Sequence, residues 1–445
     1  MTGKLDIQEI IDSSPVSPLQ TRILWLCFLV VAIDGFDTAV IGFLAPDIRS
    51  EWGASAAALT PLMMAGLIGL MVGSFVFGPL SDRLGRRPVL IATTGLFGLM
   101  CFLSGFSTSL EMLIALRFLT GLGLGGAMPN AITLANEFSP AARRASLVTL
   151  MFCGFTVGMA AAGFIAAVII PWLGWRVVLI IGGVVPLALV PVLLMVLTES
   201  PRFLAIKGDG QSQIAAILAH IAPDQVTDDA DFYSAPAAVS APARQLFSAR
   251  LIIGTLLLWV TFFMGLLVIF LVGNWLPLIL TDMGAAPTTA KLVTTGFHLG
   301  GAVGAIVIGR QMDRHRPTRV LAAGYVAAAI SVAAVSLAGG LLPLIALAVF
   351  AAGFFMSGGQ VGLNAFTSSF YPTSARATGV AFANGVGRSG SILGSVIGGA
   401  LVALGWQSDA IFILLAVPAL IAAMTIGSIR SGDAEAVRQP GAVVA

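Results

Sequence analysis

The sequence predicts an all-α membrane protein with twelve transmembrane helices in two pseudo-symmetric six-helix halves. Three observations support this prediction. Of the 445 residues, 58% are hydrophobic and only 10% are charged, and the mean hydropathy is +0.98, which soluble domains do not reach. Apolar stretches long enough to cross a bilayer, which takes about 20 residues, recur along the whole chain. The second half of the chain also repeats residues of the first half.

The apolar stretches are separated by short polar breaks and by one long break. The predicted spans 1 to 12 are 22–44, 56–78, 89–106, 111–133, 145–169, 176–197, 251–279, 291–309, 319–338, 341–366, 377–402 and 407–428. The polar segment 198–250 is predicted to be a linker between an N-terminal half, 22–197, and a C-terminal half, 251–428. Residues 1–21 and 429–445 are predicted tails, and the segment LDIQEII (5–11) favours a short amphipathic helix.

The basic residues predict the orientation of the spans. If both termini lie on one side of the membrane, only Arg49, Arg176 and Lys291 fall on the opposite side, and Arg117 and Arg388 lie within spans. The residues on the side of the termini are Lys4, Arg22, Arg83, Arg86, Arg87, Arg143, Arg144, Arg202, Lys207, Arg244, Arg250, Arg310, Arg314, Arg316, Arg319, Arg376, Arg430 and Arg438. The positive-inside rule therefore places both termini and the linker in the cytoplasm.

The repeat between the halves can be followed residue by residue. At an offset of 231 positions, the matching pairs are Gly42 with Gly273, Pro46 with Pro277, Gly78 with Gly309, Asp82 with Asp313, Arg83 with Arg314, and LGW at 173–175 with LGW at 404–406. At an offset of 232, Pro140 and Arg144 match Pro372 and Arg376. Repeated halves of this kind are typical of secondary transporters.

Several other classes of protein are disfavoured. The net charge of +2 comes from scattered residues, which argues against a nucleic-acid partner. The three cysteines, Cys27, Cys101 and Cys153, lie in apolar stretches and predict neither disulfides nor a metal site, and we expect no cofactor. No nucleophile with a His/Asp partner lies at a span end, which disfavours an enzyme, and no repeated filter-like segment suggests a channel.

Particular segments resemble a known family. GPLSDRLGRRP (78–88) resembles the loop 2–3 signature of the major facilitator superfamily, and GRQMDRHRP (309–317) resembles its second-half copy. DGFDTAVIGFLAP in span 1, RFLTGLGLGGAMPNA in span 4, and FYPTSARATGV with GVGRSGSILG at span 11 resemble the aromatic acid:proton symporters, among them carriers of 4-hydroxybenzoate and protocatechuate. The resemblance covers all twelve spans.

This resemblance implies the major facilitator fold and a proton-coupled secondary transporter that imports an aromatic carboxylate by alternating access. The expected partners are a small aromatic acid, protons and the lipid bilayer of the inner membrane, and we expect the protein to act as a monomer. The alternative is a proton-driven exporter or importer of another small organic anion. A membrane-embedded enzyme is the disfavoured alternative from a different class.

Two carboxylates, Asp34 and Asp37, lie within span 1. Counted from Arg22 at about 1.5 Å per residue, they lie roughly 18 Å and 22 Å into the membrane. Two acids on one helix face resist being ionised together, so we expect the pair to hold a proton, with Asp34 as the carrier and Asp37 modulating it. Alternatively, each carboxylate neutralises an arginine on another helix. A charge at this depth is by default a candidate for function.

Arg388 lies about 17 Å into span 11, at a depth similar to that of Asp34. A guanidinium binds a carboxylate through two parallel hydrogen bonds, so Arg388 is the predicted substrate clamp, with Asn384 one turn away. Alternatively, Arg388 forms a structural ion pair with Asp34. Arg117 in span 4 is a candidate for substrate binding, or for a structural or gating role. His298 either lines the pathway or is a satisfied buried imidazole.

Further polar and aromatic side chains are candidates for the substrate site. Gln360 and Asn364 share one face of span 10, where their amides either bind a ring hydroxyl or tie helices together. Phe155 and Phe263 are candidates for the aromatic walls.

The loop signature and neighbouring charges are predicted to form gates. The resemblance implies that Asp82 holds the cytoplasmic side closed and that this contact breaks when the two halves rock. A simpler interpretation is that Arg83, Arg86 and Arg87 only keep the loop in the cytoplasm. Glu137, at the cytoplasmic end of span 4 with Arg143 and Arg144 close by, is predicted to form another inner-gate pair. The complete set of predicted gating residues is Asp82, Arg83, Arg86, Arg87, Glu137, Arg144, Asp313 and Arg314.

Overall fold

Twelve long helices dominate the described part of the chain. The computed structural model describes residues 4–208, 210–223, 231–233, 246–248, 251–372 and 375–429. Spans 1 to 6 correspond to α2 (Pro18–Trp52), α3 (Ala56–Leu84), α4 (Arg86–Ser104), α5 (Leu110–Phe138), α6 (Arg144–Leu173) and α7 (Trp175–Val196). Spans 7 to 12 correspond to α10 (Ile252–Asp282), α11 (Pro287–Arg314), α12 (Pro317–Leu337), α13 (Leu342–Phe370), α14 (Arg376–Ala403) and α15 (Ser408–Ser428). All twelve are long and apolar enough to cross a membrane, which confirms the predicted number of spans.

Most of these helices are longer than the apolar stretches that predicted them. Helix α2 covers Pro18–Trp52, whereas the apolar stretch covers 22–44. Helical hydrogen bonding satisfies the backbone beyond the apolar segment as well as within it. The first and last residues of a helix are therefore set by local signals in the sequence and not by the limits of the apolar segment. Ser109 is such a signal, since its hydroxyl accepts a hydrogen bond from the Met112 amide at the start of α5. Gly174, with φ of 76°, separates α6 from α7.

Glycines allow neighbouring helices to pack closely. On α5, a Cβ at Gly121 would overlap the backbone carbonyl of Gly66 on α3, and on α14 a Cβ at Gly390 would overlap the carbonyl of Phe263 on α10. Close backbone approach at small residues is a main source of helix association in membranes, where burial of apolar surface contributes little. Gly121 and Gly390 therefore set how closely α5 approaches α3 and α14 approaches α10.

The predicted N-terminal tail and linker contain ordered elements. β1 (Lys4–Asp6) pairs in parallel with β2 (Asp231–Tyr233), and α1 (Ile7–Ser13) follows β1 directly. The linker also contains α8 (Pro201–Lys207) and α9 (Gln211–Ala219). The amphipathic helix predicted at 5–11 is thus present over a shifted range, because residues 4–6 form a strand.

The N-terminal tail packs into a hydrophobic cluster rather than extending into solvent. Ile7, Ile10 and Ile11 on α1 belong to the same buried cluster as Ile214 and Leu218 on α9. Gln20 fixes this region to α5, since its side-chain amide donates to the Phe138 carbonyl at 2.7 Å. The predicted tail 429–445 lies outside the described residues except for Ile429, as do Arg244, Arg250, Arg430 and Arg438.

The contacts divide the chain into two compact units. Unit 1 comprises Met1–Thr38, Ala65–Met159 and Leu173–Ala237, and unit 2 comprises Ala39–Met64, Ala160–Trp172 and Ala238–Ala445. The division into halves at 22–197 and 251–428 follows the sequence repeat instead, and it stays a prediction. Unit 2 therefore includes parts of α2, α3 and α6 together with all of α10 to α15.

Candidate functional site

A buried ion pair in unit 1 joins α2 to α5. The Arg117 guanidinium contacts an Asp37 carboxylate oxygen at 2.9 Å, and the two side chains are 2% and 5% exposed. A second guanidinium nitrogen of Arg117 donates to the Thr120 hydroxyl at 2.9 Å. Of the two interpretations of Asp37, the structure favours the ion pair with an arginine on another helix. Arg117, predicted as a candidate for substrate binding, here uses its charge on a carboxylate of the protein.

Asp34 lies one turn before this pair, on the same helix, and is fully buried. The Thr38 hydroxyl donates to its carboxylate at 3.2 Å. Gly35 lies between the two acids, and a Cβ there would overlap the backbone carbonyl of Phe155 on α6. The glycine therefore permits α6 to approach α2 beside Asp34, where a larger residue would push the helices apart. Because Asp37 has a cationic partner, it is less able to repel a charge on Asp34 than the sequence suggested.

Unit 2 holds a polar network on α13 and α14, and α14 also carries the half-buried Arg388. One turn before it, the Asn384 side-chain amide donates to the Asn364 side-chain carbonyl on α13 at 3.2 Å. Asn364 in turn donates to the backbone carbonyl of Gln360 at 3.0 Å. The structure therefore links three predicted site residues, Asn384, Asn364 and Gln360, across two helices, one turn from Arg388.

Two predicted site residues carry buried polar atoms without protein partners. Gln360 is 7% exposed, and neither its side-chain oxygen nor its nitrogen has a hydrogen-bond partner among the described residues. His298 on α11 is 1% exposed, and its Nε2 likewise lacks a partner in the described part of the chain. The imidazole packs edge-on against Phe297 and Phe43, with ring centroids 5.5 and 6.0 Å away. Burial of the imidazole agrees with one of the two interpretations of His298, and whether it also lines the pathway stays a prediction.

The two predicted aromatic wall residues lie on separate units. Phe155 on α6 is half-buried and its ring centroid lies 6.2 Å from that of Phe152. Phe263 on α10 is also half-buried, and its backbone carbonyl faces Gly390 on α14.

Two ion pairs of unit 2 were missed by the sequence reasoning. Lys291 Nζ lies 2.7 Å from an Asp47 carboxylate oxygen, and the lysine side chain is 1% exposed. Arg49 pairs with Asp282 at 2.9 Å in a more exposed position. The sequence contained a signal for these pairs, because all four charges lie at span ends that the positive-inside rule places on the same side of the membrane. Sequence alone gives no reason why a lysine at the start of a span should be buried.

Part of the loop signature forms a charge cluster in unit 1. An Arg86 guanidinium nitrogen lies 3.0 Å from Asp82, and another lies 3.8 Å from Glu137. Arg87 donates instead to the Leu194 backbone carbonyl at 2.7 Å. Arg86 thus connects the loop between α3 and α4 to the end of α5.

Glu199, which the sequence reasoning did not single out, caps the start of α4. Its carboxylate accepts hydrogen bonds from the backbone amides of Arg86 and Arg87, where the helix dipole favours a negative charge. Gly85, with φ of 110°, makes room, since a Cβ there would overlap the carboxylate. Burial raises the pKa of Glu199 above its usual value, and the backbone hydrogen bonds from Ser200, Arg87 and Arg86 oppose this shift.

The remaining predicted gating residues lie apart from this cluster. The predicted pairing of Glu137 with Arg144 is wrong, because Arg144 pairs with Asp12 at 3.0 Å and Glu137 faces Arg86. The ordered N-terminal helix α1 supplies Asp12, and the sequence did not place it there. Arg83 follows α3's Asp82, and Asp313 and Arg314 end α11; all three are exposed.

The described residues contain no group of three or more His, Cys, Asp or Glu side chains suited to a metal ion. The chemistry that the spans offer consists of buried carboxylates, guanidinium groups and amides. Such groups can hold a proton, an organic anion or a hydroxyl group.

Comparison with known proteins shows the family. A model of the Major Facilitator Superfamily matches residues 27–286 and 258–442. The chain is 44% identical over 427 residues to the 4-hydroxybenzoate transporter PcaK of Pseudomonas aeruginosa, covering 95% of each chain. It is 47% identical over 426 residues to a gallate transporter of Pseudomonas putida, covering 95% of this chain and 94% of the relative.

Solved structures support the same fold. An inward-open structure of the xylose transporter XylE from E. coli matches with a TM-score of 0.72 and 18% identity, covering 94% of this chain and 99% of the other. At this identity the likeness concerns the fold and not the substrate.

Proposed function

The chain belongs to the major facilitator superfamily, and we propose that it imports an aromatic carboxylate of the hydroxybenzoate type together with protons. The protein is a multi-pass membrane transporter and not an enzyme, and its predicted fold class is confirmed. The names of the relatives, which are transporters of 4-hydroxybenzoate and of gallate, support the class of substrate.

The observation that carries the proposal is the position of Arg388 within an apolar helix. It is half-buried and lies one turn from Asn384, which is held by Asn364. A guanidinium binds a carboxylate by two parallel hydrogen bonds, whereas the two amide protons of Asn384 are donated within the protein, to Asn364 and to the Val380 carbonyl. Such a guanidinium suits a planar organic anion, and Asn384 belongs to the scaffold beside it.

Asp34 is the proposed proton carrier. It is fully buried, and an ionisable residue inside a span is by default a candidate for function, proton relays among them. Asp37 contacts Arg117, so we assign this pair to holding α2 against α5. Loading and release of a proton at Asp34 would then couple the pH gradient to transport.

Alternating access requires gates that open in turn. We assign the cluster of Asp82, Arg86 and Glu137 to the cytoplasmic side and the pair of Asp47 and Lys291 to the outer side, following the predicted orientation. In this assignment both termini lie in the cytoplasm, the membrane is the inner membrane, and one chain forms the functional transporter.

The test is uptake into proteoliposomes with and without an inward proton gradient. The panel of radiolabelled acids contains 4-hydroxybenzoate, gallate, benzoate and succinate, the last as an organic anion without a ring. We expect the gradient to drive accumulation of aromatic acids only, and Arg388→Ala to abolish binding. Arg310→Ala, which removes an exposed arginine of α11, is the matched control. Accumulation of succinate instead of the aromatic acids, or gradient-independent uptake, would overturn the proposal.

A further inference from the structure

Tyr325, a residue that the sequence analysis did not select, lies beside Gln360 in unit 2. Tyr325 is on α12 and is fully buried, yet its hydroxyl has no hydrogen-bond partner among the described residues. A buried polar group without a partner loses the hydrogen bonds that it makes in water, so such groups are rare unless something else satisfies them. Here the tyrosine hydroxyl and both ends of the Gln360 amide are in this state.

Two glycines bring these groups together. The Tyr325 ring lies against Gly359 on α13, where a Cβ would stand 3.7 Å from the ring. Beyond it, a Cβ at Gly265 on α10 would lie 2.6 Å from the Gln360 side-chain oxygen and 3.6 Å from the Tyr325 hydroxyl. The two side chains therefore converge on one point at α10 that carries no side chain of its own. Three helices contribute to this arrangement.

We propose that Tyr325 and Gln360 form a subsite that binds the ring hydroxyl of a hydroxylated aromatic acid. A phenol hydroxyl has one proton to donate and two lone pairs to accept with. The Gln360 side-chain oxygen can accept a hydrogen bond from the phenol O–H. The Gln360 side-chain N–H and the Tyr325 hydroxyl can each donate a hydrogen bond to the phenol oxygen. The three partnerless groups thus match the three hydrogen bonds that a phenol makes.

This inference rests on the proposed function and specifies the substrate further. A site built to bind a hydroxyl discriminates strongly against an analogue that lacks it, because the polar groups of the site then stay unpaired. The subsite therefore predicts a preference for hydroxybenzoates over benzoate. The preference arises at α10, α12 and α13, separately from the carboxylate contact at Arg388.

The experiment measures uptake of labelled 4-hydroxybenzoate into proteoliposomes. Unlabelled 3-hydroxybenzoate, 4-hydroxybenzoate and benzoate are compared as competitors of this uptake. Tyr325→Phe removes one oxygen atom, Gln360→Met replaces the amide with an apolar chain of similar length, and Gly265→Ala places a methyl group against the amide. The matched control is Tyr371→Phe, since Tyr371 is a buried tyrosine whose hydroxyl already donates to Thr255 at 3.2 Å. Each variant is also scored for uptake of labelled benzoate.

We expect the preference for the hydroxybenzoate over benzoate to fall about tenfold or more in Tyr325→Phe and Gln360→Met, which corresponds to one lost hydrogen bond to a buried group. The Tyr371→Phe control should keep the wild-type preference, and in the Tyr325→Phe and Gln360→Met variants benzoate uptake should fall less than hydroxybenzoate uptake. An unchanged preference, or an equal loss for both acids, would overturn the subsite. If Tyr325→Phe does not fold, the preference for the hydroxybenzoate over benzoate is measured in Gln360→Met and Gly265→Ala, and the same outcomes support or overturn the subsite. Absence of saturable uptake of any aromatic acid by the wild type would overturn the proposed function, and the subsite with it.

Discussion

Replacing each span-1 acid by asparagine separates a proton-carrying role from a structural one. Both substitutions nearly preserve shape while removing the carboxylate. In Asp34→Asn the amide oxygen can still accept the hydrogen bond that the Thr38 hydroxyl makes at 3.2 Å. In Asp37→Asn the Arg117 guanidinium, 2.9 Å away and 2% exposed, loses its counter-charge.

The expected costs follow from these contacts. Removing one partner of a buried ion pair destabilises by about 3–5 kcal/mol, because it leaves a charge unpaired in a low-dielectric site. Asp37→Asn should therefore lower the thermal unfolding midpoint markedly, and the double variant Asp37→Asn/Arg117→Met should recover most of the loss. Asp34→Asn keeps the hydrogen bond from Thr38, and its thermal unfolding midpoint is measured in the same series.

The assay compares gradient-driven accumulation with counterflow in proteoliposomes, since exchange of labelled for unlabelled substrate needs no net proton movement. Asp34→Asn should lose accumulation and keep counterflow. Thr38→Val, which removes only the hydrogen bond to Asp34, is the control and should retain both activities. Asp37→Asn should lose both in proportion to its loss of folded protein.

Full accumulation by Asp34→Asn would refute the assignment of Asp34 as carrier. Loss of counterflow together with accumulation, in a stable protein, would assign Asp34 to substrate binding or to structure. An Asp37→Asn variant as stable as the wild type would refute the ion-pair argument and restore the modulating role that the sequence suggested for Asp37.

Three further predictions concern other charges. Arg388→Lys keeps the charge but loses the two-point contact, so equilibrium binding of 4-hydroxybenzoate should weaken at least tenfold; wild-type affinity would contradict the clamp. Asp47→Asn leaves the buried Lys291 unpaired and should destabilise by about 3–5 kcal/mol, whereas Asp47→Asn/Lys291→Met should be close to wild type in thermal unfolding; additive losses would show that the pair does not interact. Because burial raises the pKa of Glu199, the folded state holds its proton at pH values where the unfolded state has lost it. Stability contributed by this group therefore falls as pH rises through that window, and Glu199→Gln should flatten the slope measured by unfolding across acidic pH.

The twelve spans could be predicted because each rests on a local property, the length of an apolar stretch. The ordered N-terminal segment could not, because its strand pairs β1 with β2 more than two hundred residues away along the chain, and such a pairing leaves no local pattern. The same limit applies to Arg144. Its nearest acid by sequence is Glu137, but α1 places Asp12 beside it.

The sequence predicted many of the residues of the candidate site, but it did not predict which of them contact each other. An aspartate, an arginine or a glutamine within a span stands out from apolar neighbours, so Asp34, Arg388 and Gln360 could be selected directly. Tyr325 was not selected, because only its position next to Gly265 and Gln360 gives it significance. Sequence thus identifies costly residues well and identifies their partners poorly.

Whether a buried polar group has a partner in the protein also separates structural from recognition roles. The charges of Asp37, Arg117, Asp47 and Lys291 are matched within the chain, and a matched pair gains nothing from a ligand. The hydroxyl of Tyr325 and the amide of Gln360 are unmatched within the described residues, and they regain hydrogen bonds only when another molecule supplies them. Removing one member of a matched pair therefore costs stability, whereas removing an unmatched group should cost selectivity and leave stability unchanged or improved.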